Sequence, residues 1–231
     1  RYRMSEEDRP DHNPDVFELF AQKMKANLKL MRQYSEQVDH SLQTTIHYAD
    51  SRSATANEDS VKENSADIVI TSPPYGDHQT TVAYGQYSQD PAIIVDEHGY
   101  DEMKSVDKTG LGGRNSELEP MPELEEWSPA FGATMDSLRD VDGRASDAMG
   151  FVRDYYEVMG EVAKVLKPGQ PVAWVVANRT MSRVNIPTHL ITQELCEHIG
   201  FSHEVTLPRE IPTKTLPWEN APENTPGVKG E

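Results

Sequence analysis

The sequence predicts an α/β fold, a sheet with helices on both faces, and three stretches carry that prediction. A short apolar run, Asp67-Ile-Val-Ile-Thr71, leads straight into Ser72-Pro73-Pro74-Tyr75-Gly76. A helical pattern begins at Ser146-Asp147, places Val152, Tyr155, Tyr156, Met159, Val162, Ala163 and Leu166 on one face, and stops at Lys167-Pro168-Gly169. A second apolar run, 171–177, follows at once. Strand, helix, strand in that order is the pattern of a parallel or mixed sheet with helical crossovers.

Taken from the start, residues 1–13 are polar, and Asn13-Pro14 gives a cap and first-turn signal. From Asp15 to about Val38 the residues Phe17, Phe20, Met24, Leu28, Met31 and Val38 recur at helical spacing, with Lys23, Lys25, Lys29 and Arg32 between them. This predicts an amphipathic helix packed on a sheet, in preference to a basic helix that contacts DNA. Residues 44–49 are β-prone and end at Asp50-Ser51-Arg52. The run Ile68, Val69, Ile70 is β-branched throughout, as expected of a parallel strand covered on both faces. Pro73 cannot donate to a ladder and Pro74 fixes φ again, so the strand must end there. Ligands of open α/β sheets bind just beyond the carboxyl ends of the strands, which makes this stiff loop a candidate site.

Residues 77–145 hold scattered aromatics and glycines without a long periodic segment, and a connection of that length predicts a functional insertion that covers the site, with partial local helix. A helix over about 188–199 should stop at Gly200, and 201–207 read as another strand. The tail from Pro208 is dense in proline, which suits a surface segment or a linker. Three regions result: 1–76, a helix plus the first part of an α/β catalytic domain; 77–145, a recognition or lid insertion; and 146–231, the remainder of the α/β domain with its proline-rich end.

The chain has 231 residues, of which 36% are hydrophobic, enough for one α/β domain. Its single cysteine, Cys196, excludes a disulfide framework or a cysteine-based zinc site within the chain. No stretch approaches the roughly 18 apolar residues of a membrane span and no leader pattern opens the chain, so the expected location is cytoplasmic. A start at Arg1 rather than methionine suits a fragment. The net charge of −17 leaves two readings open. Either the protein does not touch nucleic acid, whose binders are normally basic, or the acid excess coats a protein from a high-salt cell, where self-repulsion is screened. The spread of acids along the whole chain suits the second.

Asp50-Ser51-Arg52, the run from Asp67 to Gly76, and Val165-Leu-Lys-Pro-Gly169 ahead of a strand together resemble the DNA amino-methyltransferases that use S-adenosylmethionine. The stretch from Gly76 to Gln86 is similar to a continuation found in archaeal and bacterial modification methylases. The resemblance covers most of residues 44–231. It implies a Rossmann-like methyltransferase sheet, S-adenosylmethionine as cofactor, and double-stranded DNA with a flipped-out target base as substrate. A serine before Pro-Pro-Tyr is typical of the cytosine-N4 enzymes of restriction–modification systems, whereas aspartate or asparagine is commoner in adenine-N6 enzymes. Ser72, Pro73, Pro74 and Tyr75 are then the implied catalytic residues, and Asp50 the implied cofactor ligand, at the adenine amino group. Methyl transfer in this family is a direct in-line displacement, with the amine about 3 to 3.5 Å from the methyl carbon.

Each residue has a plainer alternative. Ser72 to Tyr75 could be a proline-stiffened turn without chemistry, and Asp50 a strand-end cap. Tyr84 and Tyr87 could line a base pocket or pack in the core. Arg114, Arg139 and Arg144 could reach phosphates or base edges, although isolated loop arginines are more often solvated. The eight histidines show no metal-ligand spacing. One departure from the family pattern stands out: its glycine-rich strand-to-helix turn, which holds the methionine part of the cofactor, has no match, because Gly110-Leu-Gly-Gly113 follows no strand and opens no clear helix. A missing segment or a partner chain is therefore expected to carry that turn. The function expected is cytosine-N4 methylation of DNA. The alternatives are adenine-N6 methylation, an RNA amino-methyltransferase, or a non-catalytic DNA-binding specificity subunit that relies on a partner.

Overall fold

The computed structural model describes residues 15–47, 49–56, 61–74, 110–113, 121–141 and 143–209. The chain forms two compact units, 1–48 and 49–231.

In the first unit, α1 spans Val16–Gln37. Its N-cap is Asp15, whose carboxylate accepts a hydrogen bond from the Glu18 N–H at 3.0 Å; the Asn13-Pro14 signal lies outside the described residues. Glu18 in the first turn suits the positive end of the helix dipole. No residue of α1 is buried, and Phe17 is 88% exposed. The apolar period marks a face fit for burial without specifying what covers it. Residues 42–47 are exposed and form no strand.

The second unit is built on a parallel pair, β1 (Val69–Thr71) and β2 (Val172–Trp174), with Val69 opposite Val172 and Thr71 opposite Trp174. Its helices are α2 (Glu123–Trp127), α3 (Pro129–Leu138), α4 (Arg144–Val165) and α5 (Thr188–Ile199). An antiparallel hairpin, β3 (Arg179–Met181) and β4 (Val184–Ile186), leads from β2 to α5. The α/β class holds, and the strands are shorter than the sequence suggests. Ile68, Ile70 and Val175 are exposed, which departs from the expectation of strands buried on both faces. Residues 201–207 form no strand: Phe201 is half-buried against the core and 202–207 are exposed. The hairpin was not expected.

The core lies among α2, α3, α4, α5 and the hairpin, with Leu124, Phe131, Leu138, Phe151, Tyr155, Ile191 and Leu195 at its centre. Helices α2 and α3 fall within the predicted insertion, yet they contribute fully buried side chains to this core. Tyr155 sets its ring edge-on to Trp174 at 5.6 Å. Its hydroxyl lies 3.1 Å from the Thr192 Oγ1, which itself donates to the Thr188 carbonyl, so Tyr155 is the donor of the pair. Burial raises the Tyr155 phenol well above its ordinary pKa, which keeps it protonated.

Glu194 of α5 ties the start of α3 to the core. Its carboxylate accepts from Ser128 Oγ at 2.6 Å and from the Ala130 N–H at 3.0 Å, while Ser128 Oγ caps the Phe131 N–H. A carboxylate at a helix N-terminus satisfies orphan donors and complements the dipole. Helix α5 ends at Gly200, where φ is +116° and the N–H turns back to the Cys196 and Glu197 carbonyls. Cys196 is buried on α5. Among the described residues no helix is long and apolar enough to cross a membrane.

Candidate active site at the carboxyl edge of the parallel pair

Strand β1 ends at Thr71, whose carbonyl accepts the Val175 N–H at 2.8 Å. Ser72-Pro73-Pro74 therefore leaves from the same edge as the segment that follows β2. Ser72 is exposed, Pro73 and Pro74 are half-buried, and Tyr75 lies outside the described residues. The prolines stop the ladder and leave the loop with few backbone freedoms. The arrangement can present a hydroxyl and backbone carbonyls beyond a sheet edge, the usual place for a ligand in this class of fold.

Asp50 caps the 3-10 turn Ser51–Ser53, accepting from the Arg52 N–H at 2.9 Å. It also forms a forked ion pair with the Arg52 guanidinium, at 2.6 Å for its shortest contact. That guanidinium holds the Asp50 carboxyl below the ordinary carboxylate range. Asp50 thus caps a 3-10 turn rather than a strand end, and about half of its side chain stays open to solvent. The Asp50 carboxylate bonds to Arg52, and the Asp50 carbonyl accepts the Ser53 N–H at 3.0 Å.

Arg52 also reaches Asp154 of α4, at 3.4 Å. Asp154 is buried, pairs with the neighbouring Arg153 at 2.6 Å, and accepts the Gly112 N–H at 2.9 Å. Two turns further along α4, Glu161 accepts from both the N–H and the hydroxyl of Thr55, each at 2.8 Å, and pairs with Lys164. Burial alone would raise the Glu161 carboxyl, but the Lys164 ammonium and the Thr55 donors hold it below its usual range. Residues seven apart lie on one helix face, so Asp154 and Glu161 clamp the 50–55 segment along α4. Sequence reasoning missed this clamp. Its available signal was a pair of acids, seven apart, among the apolar positions of that helix.

The Gly110–Gly113 turn is held by the same carboxylate. Gly112 has φ of +73°, and a Cβ there would sit 3.0 Å from Phe151 Cβ. Gly112→Ala is therefore expected to lower stability by about 1–3 kcal/mol through left-handed strain and this contact; an unchanged urea midpoint would count against the packing described. Of the predicted arginines, Arg139 pairs with Glu125 and Asp136, Arg144 pairs with Asp147, and Arg114 lies outside the described residues, as do Tyr84 and Tyr87. No cluster of metal-binding side chains occurs among the described residues.

Compared with known proteins, the chain is 34% identical, over a 235-residue alignment, to the Type II methyltransferase M.MvaI of Kocuria varians. The alignment takes in 98% of this chain and 51% of that protein, so the chain spans about half the length of the curated relative it matches. No family model and no solved structure matches the chain.

Proposed function

We propose that this chain is the acceptor-side part of a site-specific DNA methyltransferase of restriction–modification type, which methylates the exocyclic N4 amine of cytosine. The observation that carries the proposal is the Ser72-Pro73-Pro74 loop at the carboxyl end of β1, and the likeness to a Type II methyltransferase supports it.

The N4 amine is a poor nucleophile because its lone pair is delocalised into the ring. Ser72 Oγ and the Pro73 carbonyl are acceptors suited to the amino hydrogens. Bonds to them localise the lone pair and strengthen as positive charge develops on nitrogen, so they favour the transition state over the ground state. Tyr75 stacks on the extruded base and offsets part of the few kcal/mol needed to take it out of the duplex. Pro74 keeps the loop from following the base outward. Residues 77–145 are assigned to target recognition, narrowed at their end because α2 and α3 serve the core.

S-adenosylmethionine would supply the methyl group as an electrophile. The described residues do not fit it by themselves: the Asp50 carboxylate is committed to Arg52, and Gly112 is packed on Phe151 rather than open to a ligand. The glycine-rich turn is assigned to a segment or partner outside these residues. Asp50 is retained as a ligand of the cofactor's adenine only through its solvent-facing half.

Expression of the full-length protein in a host free of DNA methylation, followed by mass spectrometry of digested DNA, tests the proposal. N4-methylcytosine is expected. N6-methyladenine in its place would overturn the cytosine assignment, and unmodified DNA would overturn the methyltransferase itself.

A further inference from the structure

The stretch 162–193 contains no aspartate or glutamate, although the chain carries 39 acids in 231 residues. At that density about five would fall in a window of this length. The stretch spans β2, the β3–β4 hairpin and the start of α5, and it includes Lys164, Lys167, Arg179 and Arg183. Lys164 and Lys167 are neutralised by Glu161 and Asp67. Arg183 is exposed and has no ionic partner among the described residues.

The hairpin has two dissimilar faces. Arg179, Met181, Val184 and Ile186 point inward, with Met181 and Ile186 buried in the core. Thr180 and Asn185, paired across the ladder, are exposed together with Ser182 and Arg183 at the tip. This outer surface holds hydroxyl, amide and guanidinium donors and no carboxylate, a set suited to phosphate oxygens.

The tip is also strained. Ser182 and Arg183 sit at φ of +48° and +67°, the pattern of a tight two-residue hairpin turn. Asn-Gly adopts that turn without strain, whereas an arginine in the left-handed region is disfavoured. Strain of this kind is held in place by the surrounding structure and is concentrated at functional sites.

Position completes the argument. Val175 is bonded to Thr71, so the chain after β2 leaves from the same edge as Ser72. At ~3.5 Å per residue, Arg179 lies within about 14 Å of Val175 and Arg183 within about 28 Å, less than the ~34 Å of one duplex turn. Asn178 fixes the hairpin base, its Oδ1 lying 2.7 Å from His189 Nδ1 at the start of α5.

We infer that the outer face of the β3–β4 hairpin, with Arg183 at its tip, is a DNA-phosphate contact that holds the duplex beside the Ser72 loop. The inference rests on the methyltransferase proposal, since it needs a duplex at that edge.

The test uses the full-length protein, a duplex of about 30 base pairs, and binding measured across a tenfold range of salt. Arg183→Gln is compared with the double substitution Ser182→Asn, Arg183→Gly, which removes the cation while relaxing the turn. Both should weaken DNA binding about five- to tenfold near 0.1 M salt and lower the slope of log K against log salt by ~0.9, the loss of one phosphate contact. The double variant should do so with a higher melting temperature than the wild type. Wild-type affinity and slope in both folded variants, beside a wild type that methylates DNA, would overturn the hairpin assignment alone. A wild type that neither binds nor methylates DNA would overturn both proposals.

Discussion

Ser72→Ala in the full-length protein is expected to lower kcat for methyl transfer by about 10²–10³, the usual effect of removing one preorganised group that acts mainly in the transition state. Duplex affinity should change little, because the ground-state amine gains little from that hydroxyl. Tyr75→Ala should act differently. Loss of base stacking, ~1–3 kcal/mol, weakens capture of the extruded base and should be partly relieved on duplexes with a mismatch at the target. Single-turnover rates on matched and mismatched duplexes separate the two. If both variants kept wild-type rates, Ser72-Pro73-Pro74-Tyr75 would be no more than a stiff turn.

The second large effect is expected at Asp154. Its carboxylate is buried between Arg153 and Arg52 and also accepts the Gly112 N–H. Asp154→Ala leaves the buried Arg153 without its counter-charge and Gly112 without its acceptor, which should cost about 3–5 kcal/mol. Against a total of ~5–15 kcal/mol, a loss of that size brings the fold close to failure. The paired change Arg153→Met with Asp154→Leu removes the charges together and should recover much of the loss. Urea unfolding of single and double variants measures the difference, and a single-variant loss below ~1 kcal/mol would show that the cluster contributes little. The same carboxylate holds the 50–55 segment, so Asp154→Asn should also loosen Asp50 through Arg52.

The parts of the fold legible in the sequence are those in which local signals suffice. Helices α4 and α5 announce themselves by period, and the glycine at 200 stops α5 where expected. The end of β1 follows from β-branched residues running into two prolines, while its start falls two residues later than the pattern suggests. Residues 44–47 and 201–207 have the same β-prone character but form no strand among the described residues, because a strand needs a neighbour and pattern alone does not supply one. Helices α2 and α3 were hidden by their shortness within a long irregular stretch, although Ser128-Pro129 is a sound start signal. The hairpin was hidden because Ser182-Arg183 lacks the glycine or asparagine that normally marks a tight turn.

Of the candidate site, the Ser72 loop could be read directly, since the chemistry and the strand end lie in one run of residues. Asp50 was read in both its possible roles, and its capping geometry follows from the arginine two residues on. The clamp on α4 could not be read, because its partners are about a hundred positions apart in the chain and meet only through the packing of 50–55 on that helix.

The lone cysteine gives the protein an internal clock for its own opening. Burial in the core pushes the Cys196 thiol up to about 12. At neutral pH the buried thiol is held in its weakly nucleophilic protonated form. Alkylation is therefore expected to require local opening that exposes Cys196, and native-state labelling rates measure how often that occurs. With no second thiol in the chain to confuse the signal, one mass shift reports how often the scaffold beneath the hairpin comes apart.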